Sequence, residues 1–205
     1  MVSDVRLVAP ATARNRDPIL DVLRRHLPSR GLVLEIASGT GEHIAYFAKA
    51  LGPDLMFQPS DPDAGARASI DAWTDALGAR SVLPSIVLDA SAQHWPIDEA
   101  DAVICINMVH IAPWEAAVGL MRGSAVLMRP GGVLFLYGPF RRGGRHTSPS
   151  NEAFDRSLRM QNREWGVRDL ERVVELAEEN GFPRPVIQEM PANNLSLVFR
   201  RSGCA

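Results

Sequence analysis

LVLEIASGTG, residues 32–41, is the stretch of sequence that decides the fold. Residues 32–37 form an apolar run typical of a buried β-strand, and Ser38-Gly39-Thr40-Gly41 follows it as a tight turn. Residues 42–51 then carry apolar side chains at helical spacing. A buried strand that passes through a glycine-rich turn into a helix begins a βαβ unit, so this stretch predicts a parallel sheet.

Short apolar runs alternate with amphipathic stretches along the rest of the chain. Asp17 before Pro18 is expected to cap the first helix, and Pro84 weakens the third strand. We predict one α/β domain over residues 1–205, built on a doubly wound, seven-stranded sheet with an antiparallel last strand. Residues 1–16 are expected to form a lead-in, and residues 139–150 a lid loop. The remaining strands are predicted at 55–58, 82–88, 102–108, 133–137, 186–190 and 195–199, and the remaining helices at 18–26, 64–77, 114–128, 151–162 and 167–180.

Composition and charge exclude several classes of protein. The net charge of −2 lacks the basic excess of an obligatory nucleic-acid binder, so no nucleic acid is expected as a partner. Cys105 lies in an apolar run and Cys204 is the penultimate residue, which does not suggest a disulfide framework and favours the reducing cytoplasm. Residues 1–10 do not resemble a signal peptide, and no apolar run is long enough to span a bilayer. We therefore expect a soluble, cytoplasmic protein.

Acidic residues follow each of the first three predicted strands or lie within them. Glu35 precedes the glycine turn, Asp61 ends the second strand, and Asp89 ends the third. In an open parallel sheet the carboxyl ends of the strands border the ligand crevice. Each acid alone is equally well explained by turn or helix capping. A dinucleotide fingerprint requires a small residue at the position of Ile44, which does not fit this sequence. A carboxylate at Glu35 would not help to bind a pyrophosphate, but it would help to bind a cofactor that carries an ammonium group.

These motifs resemble the class I S-adenosylmethionine (SAM)-dependent methyltransferases. More specifically, the chain resembles a small methyltransferase-like family of unknown function, which implies a Rossmann-like class I methyltransferase fold and SAM binding. Ala37 departs from the general methyltransferase pattern, in which a glycine is common. The motifs that carry the resemblance are RNRDPIL at 14–20, LEIASGTGEH at 34–43, QPSDPD at 58–63, INMVHIAPW at 106–114, LYGPF at 136–140, SNxxFD at 150–155 and MPANN at 190–194.

The resemblance also implies roles for individual residues in holding SAM. Asp61 would hold the ribose, and Asp89 with Ala90 would contact the adenine. Asn107 and Met108 would line the cofactor beside its reactive methyl group. The methionine end of SAM would contact Glu35 and the turn residues Ser38, Gly39 and Gly41.

The acceptor side is less well defined, because methyl transfer mainly requires alignment and exclusion of water. His110 follows the fourth strand and is either a general base or a packing residue of the next helix. Tyr137 ends the fifth strand, and Arg141 lies in the predicted lid loop. Asn193 and Asn194 would lie at the pocket rim if the sixth strand is parallel to its neighbours. The scattered histidines give no recognised ligand spacing, so no metal is expected.

The sequence favours a SAM-dependent methyltransferase with a small-molecule acceptor. A non-catalytic SAM-binding module acting through a protein partner and an NAD-dependent oxidoreductase remain as alternatives. Asn107-Met108-Val109-His110 stands where amino-methylases carry N/D-P-P-Y, which makes adenine or glutamine acceptors less favoured. The identity of the acceptor and the oligomeric state do not follow from the sequence.

Overall fold

The protein contains a six-stranded sheet, described here from a computed structural model that covers residues 4–203. The order is β2-β1-β3-β4-β8-β7, in which β1 to β4 are parallel and β8 runs antiparallel between β4 and β7. Consequently β7 runs in the direction of β1 to β4. The strands are β1 Gly31–Ile36, β2 Leu55–Pro59, β3 Ala102–Ile106, β4 Val133–Gly138, β5 Arg141–Arg142, β6 Arg145–His146, β7 Val186–Met190 and β8 Asn194–Arg200.

Helices cover both faces of this sheet. One hydrophobic cluster joins α1 and α2 to one face, and a second joins α4 and α6 to the other. Burial on both faces explains why every residue of β4 is buried and why its sequence is continuously apolar up to Tyr137. The helices are α1 Thr12–His26, α2 Glu42–Leu51, α3 Ala64–Leu77, α4 Trp114–Leu127, α5 Pro149–Gln161 and α6 Leu170–Glu179.

The predicted α/β class and antiparallel β8 are confirmed, but the third predicted strand, at 82–88, does not form, so the main sheet has six strands instead of the predicted seven. This segment makes only isolated bridges to β2, at Phe57↔Val82 and Ser60↔Ile86. Pro59 and Pro84 both lack the N–H that a continuous ladder needs. The Leu83 N–H donates to Phe57 O (2.8 Å), and the next bond to β2 comes from Ile86 to Pro59 O (3.1 Å). The backbone therefore bulges at Pro84, and the sheet ends in an irregular edge.

The first helix was predicted to begin at Pro18 and in fact begins at Thr12, so Pro18 lies inside it. Asp17 is consequently not the N-cap of α1, and the Asp17 carboxylate accepts a hydrogen bond from the Tyr46 hydroxyl. The extra turn is stabilised by tertiary packing, because Thr12 and Asn15 are buried. The described part of the lead-in also contacts the domain, since Ala9 N–H donates to Glu42 Oε2 (2.6 Å).

The predicted loop at 139–150 contains regular structure. The strands β5 and β6 pair through Arg141↔His146 and Arg142↔Arg145, and Gly143 and Gly144 turn the chain at positive φ. The following helix begins two residues earlier than predicted, because the Ser148 side chain caps it. Of the other predicted features, Cys204 lies outside the described residues, while Cys105 is buried as expected.

Gly41 fixes how closely α2 approaches α3. It has φ +86°, and a Cβ added there would lie under 3.0 Å from the Ile70 Cα. We expect Gly41→Ala to lower the free energy of unfolding by about 3 kcal/mol or more, since the left-handed backbone and the clash both contribute.

Gly78→Ala is the matched control, because Gly78 also has positive φ but has nothing within 4 Å of an added Cβ. This control should cost only the backbone strain of about 1–2 kcal/mol. Urea unfolding followed by circular dichroism measures both variants. Equal losses in the two variants would contradict a clash at Gly41.

Candidate functional site

The turn after β1 opens toward the carboxyl edge of the sheet. Ala37, Gly39 and Gly41 all have positive φ, at 54°, 57° and 86°. Ala37 thus adopts the left-handed conformation that a glycine would take more cheaply, at a strain of about 1–2 kcal/mol. A Cβ on Gly39 would have no neighbour closer than the Ala37 carbonyl oxygen at 4.0 Å, so the backbone is open to close approach there.

Glu35 places a carboxyl group directly beneath this turn. The residue is 2% exposed, and its Oε2 atom has no hydrogen-bond partner in the described part of the chain. Burial raises the pKa of Glu35 to about 8, with a smaller upward contribution from the charge of Asp61, while a hydrogen bond with Ser38 opposes the shift. A buried acceptor without a partner is costly, so this oxygen favours an incoming donor or cation.

Asp61 joins the end of β2 to the turn after β1. Its Oδ2 atom accepts from Gly39 N–H (3.0 Å), and its Oδ1 atom accepts from Asp63 N–H (3.0 Å). Ser60 strengthens the junction, because its hydroxyl donates to the Glu35 carbonyl (2.7 Å). The structure therefore brings Glu35, Gly39 and Asp61 together at the carboxyl edge of the sheet. Asp61 is the residue that was predicted to hold the ribose of SAM.

Asp89 and Ala90 follow the irregular edge segment. Asp89 is exposed, and its Oδ1 atom accepts from the N–H and the hydroxyl of Ser91 (2.8 and 2.7 Å). The Asp89 side chain therefore caps a turn, which is one of the two roles that the sequence left open for each of the three acids. Ala90 is buried, and its carbonyl lies against Gly119 of α4 so closely that a Cβ there would clash.

Asn107, His110 and Gly138 converge at the ends of β3 and β4. Asn107 has φ 63°, and its N–H donates to Tyr137 O (2.8 Å). A Cβ on Gly138 would lie 2.6 Å from His110 Nε2 and 3.2 Å from Asn107 Oδ1, so Gly138 is required for this approach. Met108 is buried beside them.

His110 is fully buried, with 0% exposure. Its Nδ1 atom accepts from Arg168 N–H (3.3 Å), which leaves the proton on Nε2, an atom without a partner in the described residues. Burial, followed by the charge of Arg168, lowers the pKa of His110 to about 3. A neutral, enclosed imidazole is a weak base near pH 7, so the geometry favours the packing role over the catalytic one.

Tyr137 belongs to a polar group between β4, α1 and the β7–β8 turn. Burial raises the pKa of Tyr137, and the neighbouring side chains of Asn15 and Asn194 oppose this rise. Asn15 Oδ1 in turn lies 2.8 Å from His43 Nε2. Neither Asn15 nor His43 was predicted as a site residue. Both residues belong to motifs that the sequence analysis singled out, RNRDPIL and SGTGEH. Only the fold shows that these two motifs contact each other.

The predicted acceptor-side residues divide into two regions. Because β7 ends at the same edge as β1 to β4, the turn with Asn193 and Asn194 lies at that edge, beside a cavity of about 220 Å³. Asn193 O accepts from the Asn151 side chain (2.9 Å). Arg141 instead pairs with Asp169 (2.6 Å), in a different pocket. The cavity is lined by Arg142, Thr147, Glu189, Met190, Asn193, Asn194 and Leu195.

Membrane-spanning helices and clusters of potential metal ligands are both absent from the described residues. Between residues 4 and 203, no helix combines the length and hydropathy needed to cross a bilayer. Over the same residues, His, Cys, Asp and Glu side chains do not gather in groups of three or more that could hold a metal ion.

Solved methyltransferase structures share this fold at low sequence identity. An O-methyltransferase family protein from Burkholderia thailandensis matches with a TM-score of 0.80 and 18% identity over 95% of this chain and 58% of that one. A putative O-methyltransferase from Nostoc punctiforme matches with a TM-score of 0.81 and 16% identity over 94% and 57%. Human N-acetylserotonin methyltransferase, in complex with SAM, matches with a TM-score of 0.74 and 15% identity over 94% and 53%. The chain spans little more than half the length of these proteins.

A family model extends over nearly the whole chain. The model is described as "Protein of unknown function (DUF938)" and matches residues 6–201. The matched range contains all the sequence motifs on which the site is built. The chain therefore belongs to the DUF938 family and has the α/β fold of the class I SAM-dependent methyltransferases.

Proposed function

We propose that this protein is a SAM-dependent methyltransferase that acts on a small-molecule acceptor. The observation that carries the proposal is the buried Oε2 atom of Glu35, which has no partner in the described residues and lies beneath an open glycine turn. A carboxyl group in this position fits the α-ammonium group of SAM, because a cation beside it would favour the charged form.

The neighbouring residues fit the rest of that cofactor. Gly39 leaves room at the backbone, and each Asp61 oxygen has a second lone pair with which to accept a ribose hydroxyl. When bound, SAM supplies an electrophilic methyl group on a sulfonium with a good leaving group. The task left for the chain is to align an acceptor and to exclude water.

The cavity beside Asn194 is our proposed acceptor site. Asn194 connects it to the buried Tyr137 hydroxyl, and its volume of about 220 Å³ is sufficient for part of a small molecule. The Tyr137 hydroxyl, beside Asn15 and Asn194, would orient a polar acceptor atom. The raised pKa of Tyr137 keeps the hydroxyl protonated near neutral pH, where it serves as a donor.

The two alternatives differ in how well they agree with the residues of the site. A dinucleotide fingerprint requires a small residue at the position of Ile44, which disfavours the oxidoreductase. A SAM-binding module without catalysis would use the same cofactor residues but would not need the Tyr137 group. The free, buried thiol of Cys105 is compatible with our expectation of a cytoplasmic protein.

Cofactor binding provides the first test. We expect Asp61→Asn to weaken SAM binding by about 10- to 100-fold, because it removes a charged hydrogen-bond acceptor. Asp98→Asn is the control, since Asp98 is exposed and lies outside the site. Calorimetry with SAM and with NADH measures both variants and the unmodified protein, and circular dichroism checks that the variants are folded. NADH binding without SAM binding would contradict the proposal and favour the oxidoreductase.

Glu35→Gln provides a pH-dependent test. The folded carboxyl has a pKa of about 8 against an ordinary 4.5, so the folded protein binds more protons than the unfolded chain between these values. The stability of the unmodified protein should therefore fall as pH rises from 4.5 to 8, by an amount on the order of several kcal/mol. Glu35→Gln lacks this titration, so its stability relative to the unmodified protein should increase between pH 5 and pH 9 in urea unfolding. A constant difference would refute the pKa shift.

The same variant tests the contact with the ammonium group. An ammonium beside Glu35 should ionise it, so SAM binding at pH 7 should release up to about one proton. Calorimetry in two buffers of different ionisation enthalpy detects this proton, and Glu35→Gln should not release it. Release that persists in the variant would assign the proton to another group.

A further inference from the structure

A strongly basic pocket lies between the start of α4, the end of α5 and the start of α6. Its volume is about 260 Å³. Four arginines and one aspartate give its lining a charge of +3, although the whole chain carries −2. The lining residues are Trp114, Arg141, Arg159, Val167, Arg168, Asp169 and Arg172.

The guanidinium groups of this pocket keep unused donors. Arg141 gives Nη2 to Asp169 (2.6 Å), while its Nε is buried and has no partner within the described residues. Arg159 gives Nε to Asp155 (2.9 Å). A guanidinium has five N–H donors, so each arginine retains donors after its protein contact. Several partly satisfied guanidinium groups around one pocket favour a ligand with several acceptor oxygens.

Arg168 is held rigidly at the back of the pocket. Its Nε donates to Val109 O (2.9 Å), and its Nη2 donates to Ala112 O (2.7 Å) and Glu164 O (2.8 Å). Burial lowers the pKa of Arg168, and the charge of Arg159 lowers it further. The charges of Arg159 and Arg141 both repel that of Arg168. An anion would relieve this repulsion.

The carboxylates near the pocket are already engaged. Asp169 pairs with Arg141, and Asp155 accepts from Arg159 and from Val167 N–H (2.7 Å). Arg172 pairs with Glu175 at the outer rim, where both side chains are exposed. Three of the four lining arginines are thus ion-paired, whereas Arg168 donates only to backbone carbonyl oxygens and keeps an uncompensated charge.

Trp114 supplies a flat wall next to the arginines. The Arg168 guanidinium carbon lies 5.7 Å from the centre of its ring. Beyond Trp114 and Arg172 a second cavity of about 270 Å³ continues along Val118 and Leu176. The combined shape accommodates an anionic group at the arginines and a small organic body along Trp114. A pocket of about 260 Å³, on a chain of net charge −2, does not suit a nucleic-acid backbone.

We propose that this pocket binds the carboxylate or phosphate group of a small organic anion. The proposal does not depend on the methyltransferase function, because the pocket shares no lining residue with the Glu35–Asp61 turn. The two sources of the oxyanion differ in shape, as a carboxylate is planar and a phosphate is tetrahedral. Separate probes therefore distinguish them.

The experiment titrates the full chain with inorganic phosphate and with benzoate by calorimetry, at low salt and without SAM. Arg159→Gln and Arg172→Gln each remove one lining charge. Arg156→Gln is the matched control, because Arg156 lies on α5 one turn from Arg159, pairs with Glu152 and does not line the pocket. Thermal unfolding without ligand establishes that each variant is folded at the temperature of the titration.

We expect saturable binding of at least one probe, weakened about tenfold or more in Arg159→Gln and in Arg172→Gln and unchanged in Arg156→Gln. Binding of phosphate alone would identify a phosphate site, and binding of benzoate alone would identify a carboxylate site. Since Arg172 is exposed, its variant keeps the test valid even if loss of the buried Asp155 contact destabilises Arg159→Gln. The absence of saturable binding, or equal binding by all three variants, would overturn the proposal.

Discussion

The hydrogen bond from Gly39 N–H to the Asp61 carboxylate fixes the geometry on which the rest of the site depends. It holds the turn after β1 against the end of β2, and the Ser60 hydroxyl supports the same junction through the Glu35 carbonyl. Ala37 in this turn adopts a positive φ that strains a non-glycine residue, so the turn needs such a restraint. Gly41 then sets the distance of α2 from α3, which directs the N-terminus of α2 toward the same edge. A carboxylate that accepts from two backbone donors and retains free lone pairs serves both the fold and a ligand.

Two of the buried polar atoms that lack partners in the described residues lie at strand ends, where ligands bind in such sheets. Glu35 Oε2 lies at the end of β1, and His110 Nε2 lies between the ends of β3 and β4. Each would lower the stability of the folded chain by about 1–3 kcal/mol if nothing else contacted it. The two groups nevertheless differ in character. Glu35 lies beneath an open turn, whereas His110 is enclosed by Phe140, Gly138 and the Arg168 backbone. This difference separates a group exposed to a cofactor from one that holds neighbouring residues in place.

The sequence predicted the fold class and most elements because burial on both faces leaves continuous apolar runs, of which β4 is the clearest. The errors arose where tertiary contacts outweigh local signals. Pro59 and Pro84 lie on neighbouring segments, and together they interrupt the third predicted strand. Pro18 is a helix-start signal, yet α1 extends past it because Thr12 and Asn15 are buried against the domain. The grouping of Glu35, Gly39 and Asp61 followed from strand ends alone, whereas the contacts of Asn15 and His43 with the Tyr137 group join distant motifs that no local pattern links.

Charge is segregated along the carboxyl edge of the sheet. The ends of β1 and β2 carry Glu35 and Asp61, while the residues that follow β4 begin the basic hairpin of Arg141 and Arg142. SAM carries a sulfonium and an ammonium group against one carboxylate, so its net positive charge matches the acidic end. A basic region at the opposite end is complementary to an anion. Arg168 lies at the boundary, since its N–H fixes His110 on one side and its guanidinium lines the arginine pocket on the other. Arg168 thus connects the two regions, because its backbone contacts His110 and its side chain lines the arginine pocket.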